Sequence, residues 1–134
     1  MKLAFFCSPS DSILRDEVFL PTLCEPWELI ELRVETQAPG DLGSRNVFDA
    51  LKLRSQCALG VLRQFPDEII VFSDVDTQWF QPAMDTIRCA LREMDVVFQR
   101  ENQGAAEFNF GFFAAHSSVR TELLLAGVLA AADQ

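Results

Sequence analysis

Apolar and polar positions in this chain follow two alternating periods. Leu3-Ala4-Phe5-Phe6-Cys7 is an unbroken apolar run closed by Ser8-Pro9, the pattern of a strand buried on both faces. Asp11 or Ser12 offers an N-cap for a helix running to about Leu20, where Pro21 ends it. Trp27 to Val34 carries Leu29, Ile30, Leu32 and Val34 and reads as a second strand. Residues 37–45 hold Pro39, Gly40 and Gly43 and read as a loop. From Asn46 the period lengthens. Phe48, Leu51, Leu53, Cys57, Leu59, Val61 and Leu62 recur at roughly helical spacing as far as Phe65, and Pro66-Asp67 stops the helix.

Glu68-Ile69-Ile70-Val71-Phe72-Ser73 is the strongest strand signal, β-branched and bounded on both sides. It runs straight into Asp74-Val75-Asp76. Pro82 suits the first turn of a helix reaching about Arg92. Met94 to Gln99 reads as a strand, and Glu101 to Glu107 as a polar loop around Gly104. Phe108 to Ala115 is apolar with Gly111 inside it, and Ser117 or Ser118 caps a last helix through Ala131. The order strand, helix, strand, helix, strand, helix, strand, strand, helix predicts a three-layer α/β/α sandwich with a mostly parallel sheet. No repeat, low-complexity tract or linker divides it, so a single domain is expected.

Composition narrows the partners. At 134 residues and 49% hydrophobic content the chain can bury one core. Its net charge of −9 argues against nucleic acid and against anionic lipid. A phosphorylated small molecule would need a cation to hold it, which a divalent metal on paired carboxylates supplies. Cys7, Cys24, Cys57 and Cys89 form no Cys-x-x-Cys pair and no zinc spacing with His116. Four unclustered thiols suggest a reducing, cytoplasmic setting. The N-terminal apolar run is too short for a signal peptide, and Leu123 to Ala132 is too short for a membrane span.

Ligands of open α/β sheets bind beyond the carboxyl ends of the strands. Asp74 and Asp76 lie at that end of the best strand, and alternate residues on an extended chain point the same way. Two such carboxylates suit Mg²⁺ or Mn²⁺, with positions left for diphosphate oxygens. The bland alternative is an Asp-x-Asp turn that merely ends a strand. A third reading is the nucleophile and general acid of a haloacid-dehalogenase-like phosphatase. That chemistry needs a downstream lysine, and Lys2 and Lys52, the only lysines, both precede Asp74. An arginine remains available as a cation partner for the pair.

With these residues in view, the sequence resembles a GT-A glycosyltransferase of the nucleotide-diphospho-sugar transferase kind. Four segments carry the likeness in order. Residues Leu3 to Pro9 resemble the first strand and the turn that cradles the base. Phe48 to Arg54 resembles a helix with a basic residue before the metal strand. Ile69 to Asp76 resembles the Asp-x-Asp strand. Phe108 to Phe113 resembles the Asn-x-Gly segment beside the donor sugar.

The resemblance implies a nucleoside-diphosphate sugar donor, a UDP-sugar such as UDP-glucose being the common case, and Mn²⁺ or Mg²⁺ as cofactor. Asp76 would ligate the metal directly, and Asp74 would contact the ribose or the metal through water. Ser8, Pro9 and Ser10 would line the base and ribose pocket, and Val75 would also contact the nucleotide-sugar. Lys52 would reach the nucleotide or its phosphates. Asn109 and Gly111 would lie against the sugar, with Gln99 beside them. Glu101 and Glu107 are loop acids available as a base for an inverting reaction. The chain stops one helix after the Asn-x-Gly segment, so the donor half is expected and the acceptor half is not. Donor hydrolysis, a non-catalytic nucleotide-sugar-binding module, or a homodimer covering apolar surface around Trp79 and Phe80 are the corresponding alternatives.

Overall fold

The computed structural model describes residues 1–34, 45–100 and 108–132. Five strands form one sheet: β1 (Lys2–Cys7), β2 (Glu28–Arg33), β3 (Ile69–Asp74), β4 (Val96–Arg100) and β5 (Phe108–His116), in the order β2-β1-β3-β5-β4. β1 pairs in parallel with β2 and β3, while β5 pairs antiparallel with both β3 and β4. Four strands therefore run one way and β5 runs against them. The expected mostly parallel sheet is a mixed one, because the seven residues between β4 and β5 are too few for a parallel crossover.

Residues 9–22 form a first helical stretch, α1, whose Arg15–Phe19 part is π-type. It carries through Pro21, since a proline near the start of a last short turn breaks no established ladder. The other helices are α2 (Arg45–Gln64), α3 (Met84–Ala90) and α4 (Val119–Ala132). Pro82 precedes α3 rather than opening it. The expected loops at 37–45 and 101–107 lie outside the described residues, apart from Arg45, which begins α2.

Strand alternation divides the core into two layers. Ala4, Phe6, Ile70, Phe72, Phe113 and Ala115 face α2 and α4. Leu3, Phe5, Cys7, Val71 and Ala114 face α1 and α3. The three-layer arrangement follows from side chains of successive residues pointing to opposite faces. On the first face the rings of Phe6, Phe72, Phe113 and Phe98 form a row across the sheet, with Phe72 and Phe113 4.6 Å apart and nearly parallel. Phe72 and Phe113 are fully buried, each burial contributing about 2–3 kcal/mol. β2, an edge strand, exposes Glu28, Glu31 and Arg33, charges that discourage pairing with another chain. All four cysteines are free thiols; of the two read as buried from their apolar surroundings, Cys7 is buried and Cys57 only partly so. Among the described residues no helix is long and apolar enough to cross a membrane.

Candidate functional site

The site lies along one edge of the sheet, where β1, β3 and β4 end and the antiparallel β5 begins. Asp74 is the last residue of β3, and Val75 and Asp76 form a turn that Thr77 closes by donating its N–H to the Asp74 carbonyl at 3.3 Å. Strand alternation therefore does not aim the two carboxylates; the turn does. Asp74 and Asp76 nevertheless line one small cavity of about 170 Å³, together with Phe6, Asp11, Leu14 and Arg54. Asp76 is exposed there, and the Val75 side chain is packed into the core.

Asp74 is held from two sides. Arg54 of α2 donates from its Nη1 to Asp74 Oδ2 at 3.0 Å, and the guanidinium rests over the Phe6 ring, 5.6 Å from its centroid. Asp74 Oδ1 is buried with no hydrogen-bond partner. Burial pushes the Asp74 carboxyl up to about 6. Arg54 opposes that shift, and the charges of Asp76 and Asp11 add to it. On the other side, a Cβ at Gly111 would fall 2.6 Å from Asp74 Oδ2, so the β5 backbone packs directly on the carboxylate.

Asn109 and Gly111 reach this edge because β5 runs backwards. Asn109 Oδ1 accepts the Gly111 N–H at 2.7 Å, and its Nδ2 donates to Gln99 Oε1 at 3.4 Å. Gln99 and Asn109 are paired across a register shift that loosens the β4–β5 ladder at Phe98/Gln99. The amide of Asn109, Gly111 and Asp74 thus form one contiguous group.

At the β1 end, Ser8 donates both its N–H (3.0 Å) and its hydroxyl (2.6 Å) to Asp11 Oδ2. Ser8 and Pro9 line a second cavity of about 170 Å³ with Cys7, Ser12, Arg15, Glu31 and Arg33. Ser10 is not part of that lining, but its hydroxyl is 2.6 Å from that of Ser8.

Sequence reasoning chose Lys52 of α2 to reach the nucleotide; the structure adds a second basic residue of that helix, Arg54, set against Asp74. Both residues precede buried positions of the helix, Ser55 and Leu59 for Lys52, Ala58 and Val61 for Arg54. Helical spacing alone does not separate them. The Phe6 ring beneath the guanidinium does, and it is visible only once β1 and α2 are packed. His116 is the last residue of β5, at the opposite edge, where its Nε2 lies 3.1 Å from the Leu91 carbonyl. Glu101 and Glu107 lie outside the described residues.

Among the described residues, no three carboxylate, imidazole or thiol groups gather as a ready-made metal cage. The pair present still fits a hard cation. One or two carboxylates, with the remaining positions filled by phosphate oxygens and water, is the arrangement Mg²⁺ prefers. The orphaned Asp74 Oδ1 and the exposed Asp76 supply it.

No protein-family profile matches the chain, and no curated protein does. Two solved structures share its fold. One is the apo form of the glycosyltransferase GlyE of Streptococcus pneumoniae TIGR4, with a TM-score of 0.63 at 12% identity, covering 99% of this chain. The other is a glycosyltransferase involved in glycosylation of the major capsid of PBCV-1, with a TM-score of 0.60 at 13% identity, covering 97% of this chain. The chain spans 38% of the first protein and 66% of the second. At these identities the likeness is one of fold.

Proposed function

We propose that this chain is the donor-binding unit of a metal-dependent, GT-A-type glycosyltransferase that uses a nucleoside-diphosphate sugar. The observation that carries the reading is the Asp74–Asp76 turn at the end of a central strand, packed against Gly111 and Asn109, in a fold shared with two glycosyltransferases. A donor fits along the edge in one direction. The nucleoside would lie in the cavity bordered by Ser8, Arg15 and Arg33, the diphosphate at Asp74 and Asp76, and the sugar toward Asn109 and Gln99.

Asp76 would hold Mn²⁺ or Mg²⁺ directly, and Asp74 through water or by contact with the ribose. The bound ion supplies positive charge to the departing diphosphate. The protein's own groups do the positioning. Arg54 fixes one oxygen of Asp74 and leaves the other for the ligand. Gly111 lets the β5 backbone approach the site closely. The Asn109 amide, tied down by Gln99 and the Gly111 N–H, presents a fixed dipole toward the sugar.

The test is to incubate the pure protein with Mn²⁺ and a panel of nucleoside-diphosphate sugars, and to measure released nucleoside diphosphate. A chelator and Asp76→Ala are the controls. Release that both controls abolish supports the reading and identifies the sugar. Thermal stabilisation by UDP and Mn²⁺ without release would make the chain a nucleotide-sugar-binding module. The absence of both signals would overturn the donor site.

A further inference from the structure

A third cavity on this edge differs from the other two in size and charge. It encloses about 390 Å³ between α3 and strands β4 and β5, within the range of ligand sites, about 300–1,000 Å³. Every described residue that lines it is uncharged, in a chain with 23% charged residues. The two cavities beside it hold Arg15, Glu31 and Arg33 in one and Asp11, Arg54, Asp74 and Asp76 in the other. Its floor and walls are apolar, and its polar groups are amides and hydroxyls, among them Gln78, Gln81, Thr86 and Gln99.

We propose that this groove binds an uncharged pyranose, the sugar of the glycosyl acceptor. A pyranose ring has apolar C–H faces and a rim of hydroxyls that both donate and accept. The faces pack flat on aromatic rings, and the hydroxyls match primary amides, which also carry both donors and acceptors. Phe80, 88% exposed, stands on the groove wall as a platform that packs nothing in the core. Trp79, on the same wall and 7% exposed, has an indole N–H with no acceptor in the protein. Buried indole N–H groups ordinarily find an acceptor.

The wall is held in place for recognition. The Trp79 backbone N–H donates to Thr22 Oγ1 at 3.2 Å, and Glu25 accepts the backbone N–H groups of Ala83 and Met84 at 2.6 and 3.1 Å. Two residues that line the groove are next to the donor site. Thr77, at its mouth, follows Asp76 directly, and Gln99 on its rim is the partner of Asn109. A sugar in the groove would therefore border the carbon that the donor presents. An anionic acceptor finds no cation here, which gives the groove a selectivity by charge. That the bound sugar is the acceptor rests on the glycosyltransferase reading; that the groove binds a neutral sugar does not.

Saturation-transfer NMR on the full chain tests this. The probes are the methyl glycosides of glucose, galactose and mannose, and lactose, with glucose 6-phosphate and 1-octanol as charged and apolar controls. The expected result is transfer to the ring protons of at least one neutral glycoside and none to glucose 6-phosphate. Phe80→Ala, a surface change, should weaken binding roughly three- to tenfold, and Gln81→Ala should weaken it as well. No transfer to any neutral sugar overturns the proposal, as does binding unchanged in both variants. 1-Octanol displacing the sugar would make this an apolar-ligand site. A self-associating chain that Phe80→Ala renders monomeric, with no sugar bound, would make the groove a contact between copies. Stabilisation by UDP and Mn²⁺, measured in parallel with Asp76→Ala, separates the two failures. UDP binding without sugar binding overturns the groove alone. Sugar binding without UDP binding overturns only the donor reading.

Discussion

Gly111 sits where any Cβ would fall 2.6 Å from Asp74 Oδ2 and 2.9 Å from Asn109 Oδ1. Neither neighbour can give way cheaply, since Asp74 is tied to Arg54 and Asn109 to the Gly111 N–H. Gly111→Ala should cost about 1–3 kcal/mol of stability. By displacing Asp74 it should also lower turnover on the order of a hundredfold. Thermal melting and nucleoside-diphosphate release measure the two effects separately. A variant that behaves as the parent would show slack between β3 and β5 that the packing does not suggest.

Arg54 gives the Asp74 carboxylate its hydrogen-bonded cation. Arg54→Ala leaves both oxygens of a largely buried acid without a partner. The expected loss is about 1–2 kcal/mol at pH 7, discounted because both side chains keep some solvent contact. The loss should shrink at pH 4.5, where Asp74 is protonated in the folded state. Urea unfolding at the two pH values checks it, and an equal loss at both would show that Arg54 acts through packing on Phe6 alone.

The raised Asp74 pKa sets a second pH effect. An acid whose folded pKa lies above its unfolded value favours the native state when protonated. That contribution is complete below about pH 4 and is lost as pH rises through about 6. Relative to Asp74→Asn, the parent should lose stability across this window by at most about 3 kcal/mol. Activity should run the other way, falling as pH drops through about 6, because a protonated Asp74 neither attracts a cation nor pairs with Arg54. Parallel pH profiles of unfolding and of nucleoside-diphosphate release would expose a mismatch.

The elements were largely legible in the sequence because strands buried on both faces are written as apolar runs. Leu3 to Cys7 and Ile69 to Ser73 are such runs, and Asp74 announces the end of the second. The alternation of elements also gave the two core layers. The seven residues between β4 and β5, too few for a parallel crossover, signal the reversed β5 that brings Asn109 and Gly111 to the edge. Two features depended on tertiary context. The placing of Arg54 on Asp74 depends on Phe6, 48 positions earlier in the chain. The start of α3 after Pro82 depends on Glu25, whose carboxylate takes the amides that a local cap would otherwise satisfy.

Glu25 is therefore a cap supplied from a distance. Glu25→Ala should cost about 1.5–3 kcal/mol, the range of hydrogen bonds to a charged acceptor. It should also loosen the 77–83 wall. Urea unfolding reads the first effect and near-ultraviolet dichroism of Trp79 the second. A Glu25→Gln variant should retain part of both.

The Glu25 clamp also bears on the order in which the molecule assembles. It joins positions 58 and 59 residues apart, and α3, at seven residues, is too short to persist by itself. Contacts so distant along the chain close late, after the loop entropy has been met by strands that pair earlier. The binding edge should then be the last part to form and the first to open. Its amides should exchange with deuterium well before those of β1 and β3, making the rim of the site the least protected part of a rigid sheet.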